Sequence, residues 1–144
     1  MILENGNYSI QGVNLLDVCE EFDTPVYVYD GDKIIGQYHK LLNAFDGAKI
    51  KIKYAAKALN NINILKLLKK EGCGLDCVSI QEVMLGLKAG FEASEILYTP
   101  NCVSIDEIKK AVEYGVMINI DNISILDQFG DIYGGSVPVC IRIN

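Results

Sequence analysis

The 144 residues carry 13 Lys and Arg against 19 Asp and Glu, a net charge of -6, with half of the residues hydrophobic and 22% charged. That balance is ordinary for a globular chain and excludes a disordered tail, and the acidic excess leaves no basic patch to neutralise nucleic-acid phosphates. No apolar run reaches membrane-spanning length, and the N-terminus lacks a basic region followed by an apolar stretch, so a cytoplasmic protein with no nucleic-acid or membrane partner is expected.

In chain order, Asp30-Gly31-Asp32 opens a helix whose apolar positions Ile34, Ile35, Tyr38, Leu41, Leu42 and Phe45 fall at helical spacing, and Asp46-Gly47 ends it. A β-prone run then stops at Tyr54-Ala55-Ala56-Lys57-Ala58, polar asparagines follow, and a helix begins at about Ile62 and ends at Lys69-Lys70-Glu71-Gly72. The next strand covers about 74–78, and Ser79 caps a helix over 81–89, with Ser79-x-x-Glu82 as a possible capping box and Gly90 as the stop. A short strand over 96–99 leads to Ser104-Ile105-Asp106-Glu107, which repeats the capping pattern before a helix to about Tyr114. A strand over 116–121, a helix from Ser124 to about Phe129, a Gly134-Gly135-Ser136 turn and a strand over 137–143 complete the pattern.

Strands alternating with helices at this spacing imply a parallel α/β sheet, either open and doubly wound or closed into a barrel. No G-x-G-x-x-G run supports a dinucleotide fold. The five cysteines Cys19, Cys73, Cys77, Cys102 and Cys140 include no C-x-x-C pair, and His39, the one histidine, lies in an amphipathic helix. Zinc is therefore not expected, and the cysteines read as small apolar residues of a reducing cytoplasm. Lys57 stands at the C-terminal mouth of its strand, the end where a barrel of this kind collects catalytic groups, and small residues around it leave room for a flat ring. Alone that means little, since strand-end lysines are commonly solvated.

Lys57 is accompanied by further blocks. Tyr54-Ala55-Ala56-Lys57-Ala58, Gly74-Leu75-Asp76-Cys77-Val78-Ser79-Ile80-Gln81-Glu82, Tyr98-Thr99-Pro100-Asn101-Cys102-Val103-Ser104, Asn119-Ile120-Asp121-Asn122 and Cys140-Ile141-Arg142-Ile143-Asn144 follow in order, after an opening Thr24-Pro25-Val26-Tyr27-Val28-Tyr29-Asp30. This set resembles the alanine racemase-like decarboxylases that use pyridoxal 5'-phosphate, and within them the diaminopimelate decarboxylases. The resemblance implies a partial TIM (β/α)8 barrel. Residues 1–29 would form a segment associated with the family's C-terminal β domain, itself outside these residues, and 30–144 the first five or so strands of the cofactor-binding barrel. A whole barrel takes about 250 residues, so the expectation is an N-terminal portion of a longer enzyme, inactive by itself and a homodimer when full length.

The implied reaction is decarboxylation of meso-diaminopimelate to L-lysine, the last step of lysine biosynthesis, on a small-molecule amino-acid substrate. Lys57 would be the catalytic amine that joins the cofactor aldehyde, with Asp76, Glu82 and Arg142 as further cofactor-binding residues and no metal. Each also has a plain structural reading. Glu82 can serve only as a helix cap, Arg142 as a salt-bridge partner, and Asp76 as a carboxylate satisfied by a neighbour. Asn101 and Cys102 could line the pocket or merely cap a loop. Two departures stand out. Leu59 occupies the place where the family commonly has asparagine, with Asn60 next, and Lys53 shares strand parity with Lys57 and so needs a carboxylate or the barrel's bottom rim. The phosphate loop, the pyridine-nitrogen partner and the substrate-binding groups of the family would lie beyond Asn144. Rival readings are an ornithine, arginine or carboxynorspermidine decarboxylase, and a non-catalytic pyridoxal phosphate-binding or partner protein.

Overall fold

The structure is a computed structural model that describes residues 2–4 and 6–143. The chain divides into two compact units, 1–44 and 45–144.

In the first unit, β1 (Ile2–Glu4), β2 (Asn7–Ile10) and β3 (Val13–Asn14) form an antiparallel meander. Gln11 and Gly12 link β2 to β3 with φ of 51° and 80°, the two positive values that a tight type I′ hairpin needs. Asn14 then caps α1 (Leu15–Phe22) by accepting from the Leu16 N–H. These four elements were not anticipated from the sequence. The helix expected at Asp30 is present as α2 (Gly31–Asn43), and the Asp30 carboxylate accepts from the Lys33 N–H to open it.

The second unit alternates strand and helix throughout. It runs β4 (Lys53–Ala55), a 3-10 turn (Ala56–Ala58), α3 (Ile62–Lys70), β5 (Gly74–Cys77), α4 (Ile80–Ala89), a second 3-10 turn (Ala93–Glu95), β6 (Ile96–Tyr98), α5 (Ile105–Glu113), β7 (Met117–Ile120), α6 (Ile123–Tyr133) and β8 (Cys140–Ile141). The helix boundaries follow local signals. Ser104 and Glu107 form a reciprocal capping box on α5, and Gly90 ends α4 at φ 100°. At α4 the box is redirected: Ser79 Oγ accepts from Glu82 N–H, but the Glu82 carboxylate accepts from the Val78 N–H, one residue before the cap. Asn122, not Ser124, caps α6, which continues past Gly130 to Tyr133. β8 is two residues long, where a strand over 137–143 was expected.

The five strands are parallel and lie in sequence order, β4-β5-β6-β7-β8. With right-handed crossovers, an order that never reverses puts every helix on one face, so the sheet is singly wound like the wall of a barrel. Burial agrees. Leu75, Cys77, Ile96, Tyr98, Ile118 and Ile120 are all 3% exposed or less and pack with Leu65, Val83, Ile108, Ala111 and Phe129 of the helices. The alternating positions Asp76, Leu97 and Asn119 lie on the other, inner face and are only partly buried. A Cβ on Gly86 would meet Leu75 Cδ2 at 2.5 Å, so its absence is what lets α4 settle this closely on β5.

Candidate active site

The site grows from the C-terminal ends of β4 and β5. β4 ends because Ala56-Lys57-Ala58 closes into a single 3-10 turn whose Ala56 is 1% exposed and anchored in the core. Tyr54, one residue into the helix-side layer, donates its hydroxyl to the Leu59 carbonyl at 3.1 Å and ties the chain after the turn back to the strand. Leu59, the departure noted above, therefore holds the turn through its backbone. Lys57 is left exposed at the strand mouth, with no side-chain partner among the described residues.

Asp76 lies on β5 in register with Ala55, two residues short of Lys57, and with Leu97 on the other side. Parallel pairing puts register partners on the same face, so Asp76 occupies the inner face just below the Lys57 turn. Its Oδ1 accepts from Thr99 Oγ1 at 2.7 Å. Thr99 is held in turn by its backbone N–H, which donates to the Cys77 carbonyl at 2.7 Å and extends the β5–β6 ladder by one residue.

Lys53 sits lower on the same face. Its ammonium donates to the Glu95 carbonyl at 2.7 Å, so the bottom rim satisfies it. Burial lowers its pKa and neighbouring Lys51 adds to this, while Asp76 and Glu95 oppose the shift. Gly74 makes the crossing possible, because a Cβ there would stand 2.9 Å from both Lys53 Cγ and the Glu95 oxygen.

Glu82 is 8% exposed and its carboxylate is engaged at 2.8 Å by the Val78 N–H, which fixes the loop leaving β5. Burial, with the Glu82 and Asp76 charges added, pushes the Cys77 thiol up to about 12 and leaves it an inert core residue. Arg142 follows β8 with its N–H donated to the Ile120 carbonyl at 2.9 Å, and it shares the face of Cys140, the register partner of Asn119. Asn101 and Cys102 are exposed in the loop after β6, where the Cys102 thiol donates to Asn101 Oδ1 at 3.3 Å. Asn144 lies outside the described residues. Two inner-face groups were not singled out in the sequence, the Thr99 hydroxyl and Asn119, whose buried Oδ1 has no hydrogen-bond partner among the described residues. Strand parity from Asp76 across β6 and β7 was the signal that could have found them.

The donor set is coherent for one kind of group. It offers the exposed Lys57 amine at the strand mouth, the Asp76 carboxylate oriented by the Thr99 hydroxyl on the inner face, and Arg142 following β8 on the face of Cys140. Such a set suits a flat, anionic, aldehyde-bearing ring. Residues 31–144 match the family described as pyridoxal-dependent decarboxylase, pyridoxal binding domain. The chain belongs to this family. The diaminopimelate decarboxylase of Methanothermobacter thermautotrophicus is 36% identical over 98% of the chain and 33% of its own length. The structure of the M. jannaschii diaminopimelate decarboxylase in complex with L-lysine superposes with TM-score 0.88 at 28% identity, covering 98% of this chain and 35% of that one. A Vibrio vulnificus lysine/ornithine decarboxylase complexed with cadaverine gives TM-score 0.82 at 27% identity, over 90% of this chain and 35% of the other. The chain thus spans about a third of the length of the curated relatives it matches. Its second unit is the parallel α/β barrel wall expected from the resemblance.

Proposed function

We propose that this chain forms the cofactor-binding N-terminal portion of a pyridoxal phosphate-dependent decarboxylase acting on meso-diaminopimelate to give L-lysine. The carrying observation is Lys57, an exposed amine without a side-chain partner among the described residues, with Asp76 one step below it in the sheet register. Bound there, pyridoxal phosphate supplies the electron sink that makes loss of carbon dioxide from an amino acid feasible. The rest falls to the chain's own groups. Lys57 is the attachment point for the cofactor, Asp76 receives a cationic amine, Glu82 holds the loop beneath through Val78, and Arg142 offers positive charge to carboxylate or phosphate at the rim. Residues 1–29 belong with a β-rich domain and 30–144 with the barrel. The whole protein works in the cytoplasm as a homodimer on a small amino acid, without nucleic-acid or membrane partners. Among the described residues no helix is long and apolar enough to cross a membrane.

Borohydride reduction of the protein, as its gene encodes it, in pyridoxal phosphate tests this directly. Mass analysis is expected to find the cofactor fixed on the peptide containing Lys57, and Lys57→Ala is expected to lose both that label and carbon dioxide release from meso-diaminopimelate. Label elsewhere, or release from ornithine or lysine in place of meso-diaminopimelate, overturns the attachment site or the substrate respectively.

A further inference from the structure

We propose that Tyr54 is a positioning residue for Lys57, its hydroxyl closing the strand-end turn so that the turn presents the amine from one fixed base. The inference rests on the proposed cofactor site and deepens it. The pairing of β4 ends with Ala55, opposite Asp76, and the next helix begins at the Asn61 cap. Lys57 stands on residues 56–60, between those two fixed points. Entry to this stretch is secured by Ala56, which is 1% exposed in the core. Its exit is secured by Tyr54, whose hydroxyl donates to the Leu59 carbonyl at 3.1 Å. That bond reaches across the whole 3-10 turn Ala56–Ala58, from a residue before it to the residue after it. Leu59 is extended, with φ -163° and ψ 111°, so the tie falls where the turn geometry stops. The donor is itself held. The Tyr54 backbone pairs in register with the fully buried Leu75, and its ring packs against the core cluster. A packed aromatic ring is a stiff strut with little torsional freedom.

Lys57 is exposed, and no side chain among the described residues holds its ammonium, so the backbone beneath it sets where the nitrogen can go. A long flexible stem already spreads that nitrogen over many rotamers. A turn that also rocked would widen the spread, and encounters with a bound aldehyde at bonding distance would become rarer. The Tyr54 hydroxyl removes the backbone share of this freedom. Phenylalanine at the same position fills the same space and keeps the packing, but leaves the Leu59 carbonyl without its donor.

The test uses the protein as its gene encodes it, stripped of cofactor. Added pyridoxal phosphate is trapped with borohydride at successive times, and the label on the Lys57 peptide gives the rate of attachment. Wild type is compared with Tyr54→Phe and with Ser104→Ala, which removes the side-chain cap of α5, away from the turn. Thermal melts report the overall stability of each, and hydrogen exchange over residues 56–60 reports the turn alone. Tyr54→Phe is expected to take up label about tenfold more slowly than wild type, with faster exchange at the turn. Ser104→Ala is expected to keep the wild-type labelling rate despite its lowered melting temperature. A wild-type labelling rate in Tyr54→Phe, an equal slowing in Ser104→Ala, or slower labelling without faster exchange at the turn overturns the inference and leaves Lys57 as the attachment site. Absence of label on Lys57 in the wild-type protein removes the cofactor-site reading, and this inference falls with it.

Discussion

Gly74 shows how little room the inner face leaves at its lower end. The Lys53 stem crosses over it to reach the Glu95 carbonyl, and a methyl there would press on backbone as well as on the lysine. Because a backbone oxygen cannot swing aside, Gly74→Ala is expected to cost about 1–3 kcal/mol, as overpacking in a close-packed interior does. A chemical-denaturation midpoint that does not move would show that the rim is looser than drawn. Glu95 adds a pH dependence at the same rim. Its carboxylate is paired with Lys69, faces Lys51 and accepts from Glu92 N–H, and the Lys69 bond foremost holds it below the ordinary 4.5. The folded state therefore binds fewer protons than the unfolded one just below pH 4.5. The resulting stability is present above that pH and is lost as pH falls through the lowered folded value. Glu95→Gln is expected to lower the melting temperature at neutral pH and to flatten its decline in that acid window. Equal acid slopes for the two proteins would remove Glu95 from the account.

At the scale of elements, the turn from β5 into α4 joins stability to the site. Ser79 caps the helix, and Glu82 reaches past the cap to the Val78 N–H. Ser79→Ala is expected to cost about 1 kcal/mol, the usual worth of a side-chain cap. Glu82→Ala should cost more, about 1–3 kcal/mol, because a partly buried N–H loses its acceptor, whereas Glu82→Gln keeps an acceptor and is expected to stay near wild type. Urea titrations with unchanged slopes check all three. These caps also explain what was legible in advance. Ser79, Ser104, Gly72, Gly90 and the apolar spacing around them are local signals, and the helices from α3 to α5 lie within a residue or so of where the sequence put them. β1 to β3 were missed because strands of two to four residues are too short to show a period, and the Gln11-Gly12 turn was the better clue. β8 was overread because Val137 and Val139 have strand-like composition, yet pairing with β7 extends only over Asn119–Cys140 and Ile120–Ile141.

For the second unit as a whole, open sheet and barrel could not be told apart by pattern, because helix spacing is the same in both and the difference is non-local. Strand order decides it, and with it which side chains face Lys57. The same order leaves a physical demand. Parallel sheets are almost always covered on both faces, and a barrel satisfies its inner face with side chains from strands across the axis. Here the helices cover one face, Met117 on the other is 42% exposed, and β4 and β8 are the edges of the described sheet, with Ile141 on β8 64% exposed. Strand edges and the exposed Met117 and Ile141 side chains together invite association. The polypeptide of residues 1–144 prepared by itself is therefore expected to bind a hydrophobic dye, to elute as associated species in size-exclusion chromatography, and to release no carbon dioxide from meso-diaminopimelate. The protein as its gene encodes it should be dye-silent at the same concentration. A monomeric, dye-silent 144-residue polypeptide would mean that the inner face is covered from within these residues.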